Sequence, residues 1–143
     1  DMAEHFRKLG NDAFRNSGNK FASQNALMAY TKGLEMECKD KSVNSQLCSN
    51  RAAVSLRLNE HDKAVNDCRQ AIKLDPSNMK AYFRGAKASE GLGLTSQALQ
   101  FCTEALSVSP EEKELQQMRV RFEKQLQREE AEREREKRAA DKS

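Results

Sequence analysis

Tryptophan is absent from this chain of 143 residues, and only two tyrosines and six phenylalanines occur. A core built on large rings is thereby excluded, and the interior must be closed with Ala, Leu and other small side chains. Only six Gly and two Pro interrupt the sequence, while 33% of it is charged. That balance argues against a β-sandwich and for closely packed helices with solvated faces. No apolar run is long enough for a membrane span and no signal-peptide pattern is present, so a cytoplasmic or nuclear, reducing compartment is the expected location. The opening "DMAEHF" lacks an initiator, which suggests a fragment of a longer protein.

Cys38, Cys48, Cys68 and Cys102 contain no CxxC pair, and His5 and His61 stand alone. No metal site, cofactor or disulfide framework is expected, and the cysteines read as small core residues. The histidines have no nucleophile or carboxylate at useful spacing, and no Gly-rich phosphate loop occurs. Catalysis on a small-molecule substrate therefore finds no support.

Charge is unevenly placed. Residues 111–143 hold ten Lys/Arg and ten Asp/Glu, so the surplus lies in residues 1–110, at fifteen against twelve. This points to an acidic partner, but it lacks the dense basic stripe with stacking aromatics that nucleic acid would require.

The dominant feature is a repeat. Ala64, Cys68, Ala71 and Pro76 recur as Ala98, Cys102, Ala105 and Pro110, each 34 residues further on. Small residues at i, i+4 and i+7 define one helix face, and proline stops the unit. Each copy is preceded by another helix, from about Ser45 and about Asn78, closed at Asn59 and Gly93. A looser first copy sets Gly10 where Ala52 stands later, and Ala26, Tyr30 and Gly33 where Ala64, Cys68 and Ala71 stand. Its offsets of 42 and 38 imply about four extra residues near "NSGNKFAS" and four more after Leu34.

The expected fold is all-α: three helical hairpins (about 3–36, 45–76 and 79–110) stacked as an α-solenoid, followed by a long helix over 111–143. Leu115, Met118, Phe122 and Leu126 give that last helix an apolar stripe to cap the array. Beyond it, "REEAEREREKRAADK" should protrude as a solvated, fraying helix held by pairs such as Glu129 with Arg133 and Glu134 with Arg138. A monomer is expected, since no coiled-coil seam is present.

Within the third hairpin, Lys80 and Arg84 lie one turn apart on one face, where like charges repel. Asn50 precedes Arg84 by 34 residues, so the two occupy equivalent places on successive hairpins. Arg7 and Asn11 share a face by their i, i+4 spacing. If first helices line one concave side, the three sets converge. Three cations and two amide donors suit the two carboxylates of a terminal Asp.

The 34-residue pattern resembles the tetratricopeptide repeat. "FRKLGN", "LCSNRAA" and "KAYFRGA" are similar to the motifs of repeat domains that clamp the acidic carboxyl terminus of heat-shock chaperones, with Arg7 where lysine is common. "KAYFRGAKASEGL" and "EEKELQQMRVRFEKQ" further resemble the tetratricopeptide repeat protein 4 family of co-chaperones. What the resemblance implies is binding of the Glu-Glu-Val-Asp ends of heat-shock protein 90, heat-shock protein 70 or both, through Arg7, Asn11, Asn50, Lys80 and Arg84.

Taken singly, each of these residues is more economically read as a solvated helix residue; Asn50 fits that reading least, being a poor helix former within "LCSNRAAVSL". Phe14 reads first as a packing residue and second as a contact for an apolar ligand side chain. Arg51 and Lys87 are secondary candidates for basic charge at the groove rim. Two competing functions stay open at this level: a scaffold for a different, internal peptide, and an electrostatic nucleic-acid binder.

Overall fold

The computed structural model describes residues 2–15 and 20–142, which among them form seven helices and no strand. These are α1 (Met2–Arg15), α2 (Lys20–Glu35), α3 (Lys41–Arg57), α4 (His61–Leu74), α5 (Met79–Gly91), α6 (Thr95–Val108) and α7 (Lys113–Asp141). The insertion expected near residues 16–23 falls largely on residues 16–19, outside the described residues.

Local chemistry explains the boundaries. Asp40 caps α3 by accepting from the Ser42 and Val43 N–H groups at 3.0 and 3.4 Å, so the helix starts at Lys41, ahead of the expected Ser45. Both α3 and α5 end alike. Asn59 and Gly93 take left-handed φ values of 60° and 74°, letting the Glu60 and Leu94 N–H groups reach back to the Ser55 and Ser89 carbonyls at 2.8 and 2.9 Å. This is the paired C-terminal closure that Gly and Asn favour. After α4 and α6 the pre-proline residues Asp75 and Ser109 extend, with φ of −148° and −137°, because proline bars them from helical angles.

Consecutive helices pack against one another, and α3 also touches both α1 and α5, so the first helices of the hairpins form one continuous row. Ala52, Ala64, Ala86 and Ala98 are fully buried, which lets the axes approach closely. One core cluster joins the first two hairpins through Ala3, Ala26, Tyr30, Leu47 and Val54. A larger one runs from Ala52 and Cys68 through Tyr82, Phe101 and Cys102 to Leu115, Met118 and Phe122 of α7, closing the open end of the array.

The distal part of α7 differs from expectation in its ion pairs. It remains helical to Asp141 with residues 131–142 exposed. Glu129 does not pair with Arg133; its carboxylate turns inward and accepts from Thr95 Oγ1 at 2.8 Å and Gln125 Nε2 at 3.2 Å. Thr95 opens α6, whose unpaired N–H groups favour a carboxylate nearby. Among the described residues the ion pairs of α7 are Arg119 with Glu123 and Arg121 with Glu90, not the expected Glu134 with Arg138, which has little to gain in full solvent.

Candidate functional site

The row of first helices carries all five residues singled out by spacing. α1 supplies Arg7 and Asn11, α3 supplies Asn50, and α5 supplies Lys80 and Arg84. Arg7, Asn11, Asn50 and Lys80 line one groove of about 450 Å³, with Gln46, Ser49, Asp75 and Ser77 along its edge. Asn11, Asn50 and Lys80 also line an adjoining hollow of about 200 Å³ that contains Arg84 and Phe14. Three hairpins thus contribute to one continuous polar surface.

The three cations are held differently. Arg84 is half-buried, and its Nη1 donates to the Ser49 carbonyl at 2.9 Å, to Ser49 Oγ at 2.8 Å and weakly to Asn50 Oδ1 at 3.4 Å. Every one of these acceptors is neutral. Burial lowers its pKa, with Cys68 and Tyr30 opposing, yet a guanidinium remains charged near neutrality. A cation withdrawn from water without a carboxylate is costly unless an anion arrives to complete it. Lys80 is exposed and has no ion pair among the described residues. Arg7 is paired with Glu4 one turn earlier, its Nε donating to Oε1 at 2.8 Å. That hydrogen bond is the leading cause that holds the Glu4 carboxyl below its ordinary range and raises Arg7.

The two amides form a chain. Asn50 Nδ2 donates to Asn11 Oδ1 at 3.1 Å, and the same oxygen accepts the hydroxyl of Tyr30. Tyr30 is 1% exposed, and burial pushes its phenol up to about 12, with Arg84 and Arg7 opposing. It therefore acts as a neutral donor throughout the physiological range. With Asn11 Oδ1 doubly occupied, its amino group is left for the groove.

The secondary candidates separate. Phe14 borders the smaller hollow, but one face of its ring lies under the Arg57 guanidinium, 3.8 Å away. Lys87 sits over the Phe83 ring at 5.3 Å and lines a different depression of about 360 Å³ with Glu114, Met118 and Arg121. Arg51 does not reach the groove rim. It forms a two-bond pair with Asp67 on α4, at 2.8 and 2.7 Å, and lies in a separate polar cleft with Thr31 and Lys63.

Ser49, Glu4 and Tyr30 escaped the sequence reading as parts of this site. Glu4 had a usable signal, since i, i+3 to Arg7 places opposite charges together. Ser49 acts partly through its backbone carbonyl, which has no sequence signature. Tyr30 was legible only as a packing residue; its hydroxyl is what joins it to the site.

Among the described residues no helix is long and apolar enough to cross a membrane, and no cluster of three metal-ligating side chains occurs.

Comparison with known proteins agrees with the architecture. A family model described as "Tetratricopeptide repeat" matches residues 45–78. The chain is 37% identical to a tetratricopeptide repeat protein 4 homolog of Dictyostelium discoideum over 127 residues, covering 89% of this chain and 32% of that protein. It is 36% identical to the Hsp70/Hsp90 co-chaperone CNS1 of Saccharomyces cerevisiae, covering 82% of this chain and 30% of that protein. The chain therefore spans about a third of the length of the curated relatives it matches. A solved structure of the Hsp90 co-chaperone Cns1 from S. cerevisiae superposes with a TM-score of 0.83 at 33% identity, over 99% of this chain and 44% of that one. The first TPR of Spaghetti (RPAP3), bound to the HSP90 peptide SRMEEVD, superposes with a TM-score of 0.74 at 26% identity, covering 87% of this chain and 95% of that one. The repeat period, the hairpin stacking and these likenesses coincide: the chain is built of tetratricopeptide repeats.

Proposed function

We propose that the groove binds the free carboxyl terminus of an acidic peptide, of the Glu-Glu-Val-Asp kind found in the SRMEEVD peptide, and that the chain is the adaptor module of a cytoplasmic co-chaperone for heat-shock protein 90, heat-shock protein 70 or both. The observation that carries this reading is Arg84: a half-buried cation whose partners are all neutral, set beside an exposed Lys80 and two amides. Such a group lacks only an anion.

In this reading Lys80 and Arg7 attract the terminal and side-chain carboxylates, Arg84 completes the charge from below, and Asn11 and Asn50 donate without adding repulsion. Glu4 yields Arg7 when a ligand carboxylate takes its place. Phe14 offers its uncovered edge to an apolar side chain, and Lys87 offers charge to residues further upstream. The relatives named as co-chaperones, and the neighbour solved with an Hsp90 peptide, support the choice of partner. Micromolar affinity, about −8 kcal/mol, is expected for so small and polar a contact.

The test is a calorimetric titration with an acidic peptide ending in Asp and with its carboxyl-amidated twin. The free acid should bind clearly more tightly. Equal affinity would instead point to recognition of an internal peptide.

A further inference from the structure

The polarity of the amide chain in the groove is fixed by chemistry. A guanidinium has donors and no acceptor, so Arg84 must meet Asn50 through Oδ1. That orientation leaves Asn50 Nδ2 facing Asn11, which accepts with Oδ1. At the far end the Tyr30 hydroxyl donates to the same Oδ1. Donation therefore runs from Arg84 through Asn50 to Asn11 across three hairpins and meets the Tyr30 hydroxyl, which donates from the opposite side to the same Asn11 Oδ1, so the Asn11 amino group is the hydrogen-bond donor left over.

From this geometry we infer that Tyr30 is a positioning residue for specificity: its hydroxyl locks the Asn11 amide with the amino group toward the groove, so that the groove accepts a carboxylate and rejects a neutral carboxamide terminus. The inference rests on the carboxylate reading above. It adds a second source of discrimination beyond charge, because an amidated terminus replaces one of two acceptor oxygens with an NH2 donor and leaves one groove donor facing another donor.

Tyr30 is well placed for the task. Its ring is 1% exposed and fills the space beside Gly10, so the hydroxyl cannot swing away from Asn11. Other repeats put Cys68 and Cys102 at the matching place, and neither can supply a comparable donor. Removing the hydroxyl leaves Asn11 Oδ1 with one donor, Asn50 Nδ2, and so loosens the hold on the amide's orientation.

The experiment compares wild type and Tyr30→Phe, each titrated with the free-acid peptide and its amidated twin. Phenylalanine keeps the ring packing, and thermal unfolding of both proteins checks that. The expected result is that Tyr30→Phe weakens free-acid binding by about fivefold while leaving the amidated peptide unchanged or slightly tighter, so that their ratio contracts. A general loosening would weaken both peptides together. If wild type discriminates and Tyr30→Phe keeps the same ratio, the positioning role is overturned and the carboxylate reading survives; if wild type itself does not discriminate, the carboxylate reading fails first.

Discussion

The ring of Tyr30 occupies the volume that a side chain on Gly10 would need: a Cβ at Gly10 would stand 2.6 Å from Tyr30 Cδ1 and 2.8 Å from Cζ. Gly10→Ala is therefore expected to destabilise the protein by about 1–3 kcal/mol through overpacking. It should also weaken acidic-peptide binding, because the displaced ring carries the hydroxyl that reaches Asn11. Denaturant unfolding and peptide titration on the same variant check both effects. A stability loss with intact binding would separate the packing role of the ring from the hydroxyl.

Lys80 and Arg84 should both matter more for binding than for stability, for different reasons. Lys80→Ala removes an exposed cation and is expected to leave unfolding unchanged while weakening the free-acid peptide by about 1.5–3 kcal/mol. Arg84→Met removes a half-buried charge that has only neutral partners, and an apolar replacement of similar length should hold stability within about 1 kcal/mol of wild type or raise it. Binding to the same peptide should be lost. Calorimetry for both unfolding and titration distinguishes the two cases.

Arg51 offers the converse. Its pair with Asp67 is two-bonded, with side chains 27% and 13% exposed, and joins α3 to α4 away from the groove. Arg51→Ala should cost about 1–3 kcal/mol of stability by leaving Asp67 without its partner, with peptide affinity unaltered. A drop in affinity would mean that the cleft around Arg51 communicates with the groove.

The thiols predict an alkaline limit. Burial pushes Cys48 and Cys102 up to about 11 and Cys68 up to about 12. Each group keeps its proton in the folded state at pH values where an unfolded thiol has lost it. Stability is therefore full below about pH 8.5, the ordinary thiol value, and falls as pH rises toward 11 to 12. Unfolding curves between pH 8 and 11 check the slope, and in native protein at pH 8 a thiol reagent should label Cys38 first, the other three only on unfolding.

The terminal helix divides into a structural and a dispensable part. Removing residues 132–143 deletes only exposed or undescribed positions and should shift Tm by no more than a degree or two. Glu129→Ala removes the acceptor of Thr95 and Gln125 and should cost about 0.5–1.5 kcal/mol. Thermal scans of the two variants test this order.

The period was legible because small side chains must recur wherever two helices press together, and Ala64, Cys68 and Ala71 cannot be replaced by large residues without separating the axes. The groove was legible for the same reason: Asn50 and Arg84 inherit equivalent places from the repeat. What the spacing could not reveal was direction. Arg51 follows Asn50 directly, yet it turns toward α4 because Asp67 is there to receive it. Glu129 could have paired along its own helix, but the start of α6 is the better site for a carboxylate. The Ser49 carbonyl under Arg84 is a backbone group, and every residue type carries one.

In the proposed binding mode each hairpin supplies a separate jaw of the grip: Arg7 and Asn11 the first, Asn50 the second, Lys80 and Arg84 the third. The distance between jaws is thus not set by any single helix but by the pitch of the superhelix. Arg84, bonded to Ser49 on the hairpin before it, ties the third jaw to the second. The aperture offered to a ligand is accordingly a gauge of curvature, and a load that bends the array would open or close the grip without touching any of its residues.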